Sequence, residues 1–351
     1  MEGKPKILCI GEEWKGSNSS GLFYALSRIG CITNIVNELR YISLAATAFQ
    51  AKLFNRAIRP FQIVDFNYRL MSETTVFQPD LVLVYKGAFV KPETIVYWKN
   101  LGIPVVNFFP DVSFMAHGNF IPDCLIHYDH IFTTKSFGAD DLKLNFEIGN
   151  HKISFIPHGF DPMVHRIIKQ DGVEKFACDA SFIGGYTPHK YDYLSQLAER
   201  SPGISLKIWG NGWRDKCQGT IGKSIQGLPI MGDLYALGIN SSRINIALLS
   251  EQVKGASSGD NITSRTFHIP GSGGFMLHER TDEVLQYFEE NEEVACFSSA
   301  GEMIEKVDFY LNHESERLRI QKKGYEKALN AYSLDNTAQM LLSVLTKRGL
   351  I

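Results

Sequence analysis

The chain has 351 residues, about twice a typical domain, which predicts two domains with a full core each. Its 36 basic and 38 acidic residues leave a net charge of -2, which excludes a general nucleic-acid binder. No apolar run reaches the roughly 18 residues of a membrane span, and six scattered cysteines without a CxxC pair read as buried thiols of a reducing compartment.

The opening MEGKPKILCIG enters a strand without an apolar leader, so a cytoplasmic protein is expected. Apolar runs then alternate with amphipathic stretches. Strands are predicted at Lys6 to Ile10, Thr33 to Val36, Asp80 to Tyr85, Val105 to Phe109, His130 to Thr134 and Lys152 to Ile156. Helices are predicted at Ser20 to Ile29, as two stretches filling Ser43 to Phe77, at Lys91 to Leu101 and at Ser136 to Phe146. Continuous runs such as LVLV and VVNFF suit strands covered on both faces, hence a parallel sheet. Pro157 to Asp171 breaks the pattern with two prolines and a glycine and reads as a linker.

The alternation restarts with strands at Ala180 to Ile183, Ser205 to Trp209, Arg243 to Leu249, Phe275 to Leu277 and Val294 to Phe297. Helices are expected at Tyr191 to Arg200, Leu234 to Ser241, Ala300 to Leu311, Glu314 to Tyr332 and Leu334 to Arg348. Two doubly wound α/β domains, with a ligand cleft at the carboxyl ends of their strands, are the predicted architecture.

Gly259 to Glu279, GDNITSRTFHIPGSGGFMLHE, carries the densest chemistry. Asp260, Asn261, Thr263 and Ser264 are all cap-type residues, and any of them can open a short helix through Arg265 to His268. The free N–H groups of such a helix start attract an anion, and Arg265 adds a bidentate phosphate contact. Pro270, Gly271, Gly273 and Gly274 are expected to stop the helix before the next strand.

Further motifs share one order: DLVLVYKG (80–87), GIPVVNFFPD (102–111), IPHGFDP (156–162), DASFIGGYTPHKYDYLSQLAE (179–199), IWGNGW (208–213), TSRTFHIPGSGGFMLHERTDE (263–283) and FSSAGEMIEKVDFYL (297–311). In these the chain resembles the GT-B glycosyltransferases of group 1 and, within them, the CgeB-like family named for a spore maturation protein. The resemblance implies an acceptor domain at 1–157 with the C-terminal helix 334–351 packed back on it, a linker at 158–175 and a nucleotide-sugar donor domain at 176–333. It also implies that Asp260 and His268 occupy the places of a Glu-x7-Glu pair, the first holding the donor sugar and the second the ribose. Eight helical residues rise about 12 Å, the reach from sugar to ribose across a diphosphate. The chain departs from the pattern at His268, which bonds one hydroxyl where a carboxylate accepts two. Glu279 is a candidate to compensate.

Gly184-Gly185 with His189-Lys190 matches a glycine turn and cation for the donor phosphates, and His158 stands where it would touch phosphate or fix the hinge. Asn211, Gly212 and Trp213 end a strand where a base or ribose would bind, or form a structural turn; Tyr235 opens a helix in the same zone. On the acceptor side stand Gly16 and Ser17 in a glycine and serine loop, Lys86 and Gly87 at a strand end, and Asp111 with His117 as the acid and imidazole that would orient or deprotonate an acceptor hydroxyl. Asp111, His117 and Asp260 are the catalytic candidates. No metal site and no cofactor beyond the nucleotide sugar are expected. The basic segment Phe49 to Pro60 places Phe49, Leu53 and Phe54 at helical spacing, read as a core stripe with weak peripheral membrane contact as the alternative.

The predicted activity is sugar transfer from a nucleotide diphosphate donor to a hydroxyl of a glycan, lipid-linked glycan or protein, metal-independent and with retention. The alternatives are a nucleotide-sugar epimerase, and a non-catalytic nucleotide-binding or structural protein that kept the fold.

Overall fold

A computed structural model of the chain describes residues 3–43, 49–118, 120–168, 174–227 and 229–351. It divides into two compact units, Met1–Pro157 with Val253–Ser258 and Asp335–Ile351, and His158–Gln252 with Gly259–Leu334.

Unit 1 runs β1 (Lys6–Gly11), α1 (Asn18–Arg28), β2 (Ile32–Asn37), a 3-10 turn (Glu38–Arg40), α2 (Phe49–Phe77), β3 (Leu81–Tyr85), α3 (Pro92–Asn100), β4 (Val105–Phe109), α4 (Phe120–Leu125), β5 (His130–Thr133), α5 (Gly138–Phe146) and β6 (Ile153–Phe155). The six strands form one parallel sheet in the order β2-β1-β3-β4-β5-β6. Every residue of β3 and β4 is buried, as their unbroken apolar runs require of strands with helices on both faces. Helix α4 was not expected from the sequence.

Unit 2 follows with β7 (Cys178–Ile183), α6 (Pro188–Arg200), β8 (Leu206–Trp209), α7 (Gly219–Gly222), α8 (Asp233–Asn240), β9 (Ser242–Ala247), α9 (Ser264–Gly271), β10 (Met276–Glu279), α10 (Val284–Tyr287), β11 (Ala295–Phe297), α11 (Ala300–Asn312) and α12 (Glu314–Ala331). Its five strands are parallel in the order β11-β10-β9-β7-β8. One apolar cluster holds Phe182, Ile208, Ile246 and Leu277, and a second holds Ile183, Trp209, Ala247 and Met276, so alternate residues of each strand feed opposite faces. The last helix, α13 (Leu334–Lys347), buries Ala338, Leu341 and Leu345, and Asp335 pairs with Arg28 of α1 (2.6 Å). All six cysteines are buried and unpaired.

Four readings change. The two helical stretches expected over Ser43 to Phe77 are one helix through Pro60 across the described residues; residues 44–48 lie outside them. Leu53 and Phe54 are 62% and 64% exposed, so the expected core stripe is overturned there; the buried side of α2 begins at Ile63 and continues through Phe66 and Leu70. The side chain of Phe49 lies outside the described residues.

The stretch 158–175, expected as a linker, is bonded into unit 2 over its described part. Phe160 is fully buried, its N–H donates to the Tyr332 carbonyl (3.0 Å) and its carbonyl accepts from Leu334 N–H (2.8 Å). Pro162 does lie in a turn, but Phe160 and Val164 carry apolar surface that a solvated linker would leave in water. Finally, Val253–Ser258 belongs to unit 1: Ser113 Oγ donates to the Lys254 carbonyl (2.8 Å), and Ser257 N–H donates to both Asp141 carboxylate oxygens (3.1 and 3.2 Å).

Candidate functional site

In unit 2 the strand order reverses between β7 and β9, the point at which open parallel sheets bind ligands beyond their carboxyl ends. β7 leads into Gly184-Gly185, where Gly184 N–H donates to the Trp209 carbonyl (2.9 Å) and the Gly184 carbonyl accepts from the Trp213 indole (2.8 Å). Trp213 is fully buried, edge-on to Phe182 and Tyr186. It supports the glycine turn from the core and offers no face for a base to stack on, which corrects that part of the expectation. Asn211 and Gly212 remain exposed at the same turn.

Of the four cap-type residues before α9, Thr263 is the cap. Its hydroxyl accepts from Arg265 N–H (3.2 Å), and the Thr266 hydroxyl accepts from Thr263 N–H (3.0 Å), closing a capping box. Ser264 is the first helical residue. Pro270 and Gly271, expected to stop the helix, lie in its last turn. The stop comes from Gly273 at φ 75°, whose N–H donates to the Pro270 carbonyl (2.8 Å) while Gly274 N–H donates to Ile269 (3.0 Å).

Arg265 leans back from α9 toward both strand ends. One guanidinium nitrogen donates to the Leu248 carbonyl (2.6 Å), its carbon sits 5.3 Å over the Phe182 ring, and its Nε is buried without a partner. Lys190, in the first turn of α6, is 4% exposed, with Nζ 3.1 Å from Ser250 Oγ. Burial pulls its ammonium down to about 8, and Arg265 adds to this against Asp260, Glu251 and Glu279. Both oxygens of Glu279 are engaged, one by His189 Nε2 (2.9 Å) and one by Leu249 N–H (2.8 Å), so this carboxylate ties α6 to the end of β9. Asp260 is anchored through its N–H to the Ser250 carbonyl (2.8 Å).

His268 stacks on His165, with ring centroids 3.8 Å apart at 22°, and Tyr235 stands edge-on to both rings. The His268 ring is hydrogen-bonded to the Gly159 backbone in a way that favours its protonated form, so it donates there, and Nε2 is left buried without a partner. That nitrogen is a bare acceptor for one hydroxyl, and the Tyr235 hydroxyl is likewise buried and unpartnered. Burial, with His165 and His158 nearby, holds His268 well below the usual histidine range. The sequence reading missed His165, whose signal was its spacing in HGFDPMVH: Nδ1 accepts from Asp161 N–H (3.1 Å) four residues earlier.

Burial also pulls His165 down to about 3 and His278 to about 4. Unfolded histidine protonates near pH 6.5, so between there and pH 4 the unfolded chain binds protons that these folded rings refuse, and stability falls as pH falls. Each ring contributes a slope of up to about 1.4 kcal/mol per pH unit. The melting temperature is therefore expected to drop from pH 6.5 to 4, and His165→Phe, which keeps a stacked ring, should make the drop shallower in a calorimetric pH series.

In unit 1 the order reverses between β1 and β3. Gly16 takes φ 99° before Ser17, which caps α1 by accepting from Ser20 N–H (3.1 Å); Ser17 and Ser19 hydroxyls donate to the Glu12 carbonyl (3.2 and 2.6 Å). The glycine and serine loop is thus closed by its own hydroxyls. Lys86 sits at φ 63°, sparsely populated by side-chain-bearing residues, and Gly87 follows at φ 89°. This turn brings Lys86 Nζ to 2.9 Å from Asp111 Oδ2, which His117 Nε2 approaches to 3.0 Å. Burial alone would raise the Asp111 carboxyl, but the His117 hydrogen bond and Lys86 outweigh it and hold it below the ordinary carboxylate range. Among the described residues, no group of three or more His, Cys, Asp or Glu could hold a metal ion, and no helix is long and apolar enough to cross a membrane.

Residues 190–343 match the family described as Glycosyl transferase-like, Glyco_trans_1_2. Comparison with curated proteins yields no match. Among solved structures the chain is similar to a glycosyltransferase from Rickettsia africae ESF-5 at 14% identity and TM-score 0.66, covering 98% of each chain. It is similar to Anabaena Alr3699/HepE in complex with UDP-glucose at 10% identity and TM-score 0.65, covering 98% of this chain and 100% of that one. UDP-GlcNAc 2-epimerase from Neisseria meningitidis bound to UDP-GlcNAc matches at 12% identity and TM-score 0.51, with 97% and 100% covered. The fold is α/β with two parallel-sheet Rossmann-like domains, that of GT-B glycosyltransferases.

Proposed function

We propose that the protein is a glycosyltransferase, of hexosyl type and CgeB-like, that moves a sugar from a nucleotide diphosphate donor to a hydroxyl-bearing acceptor with retention and without a metal. One observation carries this reading: at the β7/β9 switch point, Arg265 keeps a buried Nε unpartnered beside the glycine turn and Lys190. Two cations and the start of α9 at one sheet edge form an anion cradle that offsets the charge of a leaving diphosphate. His158, which helps lower the proton affinity of His268, would add a contact to the diphosphate. His268 Nε2 and the Tyr235 hydroxyl would receive sugar or ribose hydroxyls, and Asp260 the donor sugar. On unit 1, Asp111 would orient the acceptor through Lys86 and His117.

Calorimetry with UDP, GDP and ADP against their nucleosides tests the reading. A diphosphate that binds at least tenfold tighter than its nucleoside supports it; no binding of any would favour a non-catalytic protein. Conversion of a donor to its epimer without acceptor would favour the epimerase. The exposed Leu53, Phe54 and Phe61 of α2 support a weak peripheral membrane contact as well. The chain is expected to co-sediment with anionic vesicles, and Phe54→Ser with Phe61→Ser to abolish this; equal sedimentation of the double variant would refute the contact.

A further inference from the structure

Trp14 opens the glycine and serine loop of unit 1, and it differs from the other three tryptophans of the chain. Trp98, Trp209 and Trp213 are 0%, 5% and 0% exposed, whereas Trp14 is half-buried, with no aromatic ring against it among the described residues. Its indole N–H donates to Glu12 Oε2 (3.0 Å), and its carbonyl accepts from Ser17 N–H (3.0 Å) and from the Ser20 hydroxyl (2.8 Å). Glu13, between them, exchanges two bonds with the Asn37 side chain, giving its N–H to Oδ1 (3.2 Å) and accepting at its carbonyl from Nδ2 (3.1 Å). The ring is therefore fixed before a ligand arrives, and a stacked ligand loses no affinity to ordering it. Backbone groups and serine hydroxyls close the loop, so a smaller polar residue would fit the same turn. This loop leaves the sheet at its switch point. β1 runs beside β3 with Ile10 opposite Val84, and a Cβ on Gly11 would lie 3.2 Å from Tyr85 Cβ, so Glu12 and Lys86 leave adjacent strand ends. Lys86 in turn reaches Asp111, after β4.

We propose that Trp14 is the platform on which a sugar ring of the acceptor stacks, so that the acceptor is a glycan. The proposal rests on the glycosyl-transfer reading and gives its acceptor a chemical class. A pyranose has a face of C–H groups and a rim of hydroxyls, and this strand edge offers a counterpart to each. The C–H face covers the indole and removes apolar surface from water without a closed pocket. The hydroxyls meet carboxylates. Glu12 uses one oxygen on the indole N–H and has no partner for the other among the described residues, and Asp111 stands at the neighbouring strand ends. An ionised carboxylate only accepts, so it recognises hydroxyl protons; an acyl chain has none to give, and a phosphate brings like charge.

The full chain carries its own reporter, because the other three tryptophans are buried from a dissolved quencher. Acrylamide should quench a component of the fluorescence that Trp14→Phe lacks. Methyl glucoside, methyl mannoside, N-acetylglucosamine, lactose and cellobiose are each titrated to about 50 mM, well above the millimolar Kd that one stacked ring and a few hydrogen bonds give. At least one should protect that component saturably. By calorimetry its affinity should fall about tenfold or more in Trp14→Ala and recover in part in Trp14→Phe, which keeps a ring. Glu12→Gln still accepts the indole N–H but presents an amide donor where a carboxylate accepted, so it should weaken the saccharide about tenfold while the quenchable component stays. Protection by none of the saccharides, or unchanged affinity in Trp14→Ala or in Glu12→Gln, would overturn the platform. Protection by uridine or adenosine in place of a saccharide would assign the ring to a base and overturn it as well. If UDP binds the wild type while no saccharide protects Trp14, the transfer reading stands and the platform falls. If no nucleoside diphosphate binds, the transfer reading falls and the acceptor role of Trp14 falls with it.

Discussion

Arg265→Ala is expected to weaken UDP binding by about 10- to 150-fold while leaving uridine binding within about twofold, as loss of one charge-assisted phosphate contact implies. The side chain is placed for that selectivity. Its position over Phe182 and its bond to the Leu248 carbonyl fix the guanidinium against the core, so the unpartnered Nε is presented without ordering a loose chain. Calorimetry on the two ligands separates this from general damage, since a collapsed pocket would lose both. Equal losses would refute a phosphate role for Arg265. Arg265→Lys should recover only part of the affinity, because an ammonium cannot hold Leu248 and a phosphate in one planar fork.

The alternation of strands and helices was legible because burial on both faces leaves no choice but continuous apolar runs, and LVLVY and VVNFF are strands with every residue buried. The start of α9 was legible for a local reason, a cap-type residue before a short amphipathic stretch, although which of four candidates caps it is decided by Thr266 reaching back to Thr263. What escaped is what depends on partners distant in sequence. Glu38 in NELR looks like a surface acid, yet the fold leaves it 4% exposed. Trp213 looks like a stacking platform until Gly184, 29 residues earlier, takes its N–H. His165 hid in a stretch that its prolines and glycine marked as a linker, yet its ring partner is His268, in a different element. The apolar side of α2 failed in the opposite sense, since helical spacing of Leu53 and Phe54 cannot say whether anything lies against them.

The glycine turn of unit 2 leads to the other large effect, in Gly210→Ala. Gly210 sits at φ 155°, and a Cβ there would overlap the Gly184 carbonyl, with the carbonyl carbon at 2.5 Å. That carbonyl holds the Trp213 indole, Gly184 N–H holds Trp209, and Tyr186 N–H donates to the Asn211 carbonyl (2.9 Å), so neither chain can retreat without breaking a bond. The overlap adds to the strain of the backbone conformation, together about 3 kcal/mol or more. The melting temperature should fall by roughly 10 °C for a unit of this size. Gly203→Ala, where no atom lies within 4 Å, should melt within about 1 °C of wild type. Because Gly184 also lies against Arg265, with a Cβ there 2.9 Å from its Nη1, displacing the turn should weaken UDP binding along with stability. A Gly210→Ala variant that melts like wild type and binds UDP normally would show that the two loops are not locked together, and would remove the reason for treating Gly184-Gly185 as a rigid wall of the phosphate site.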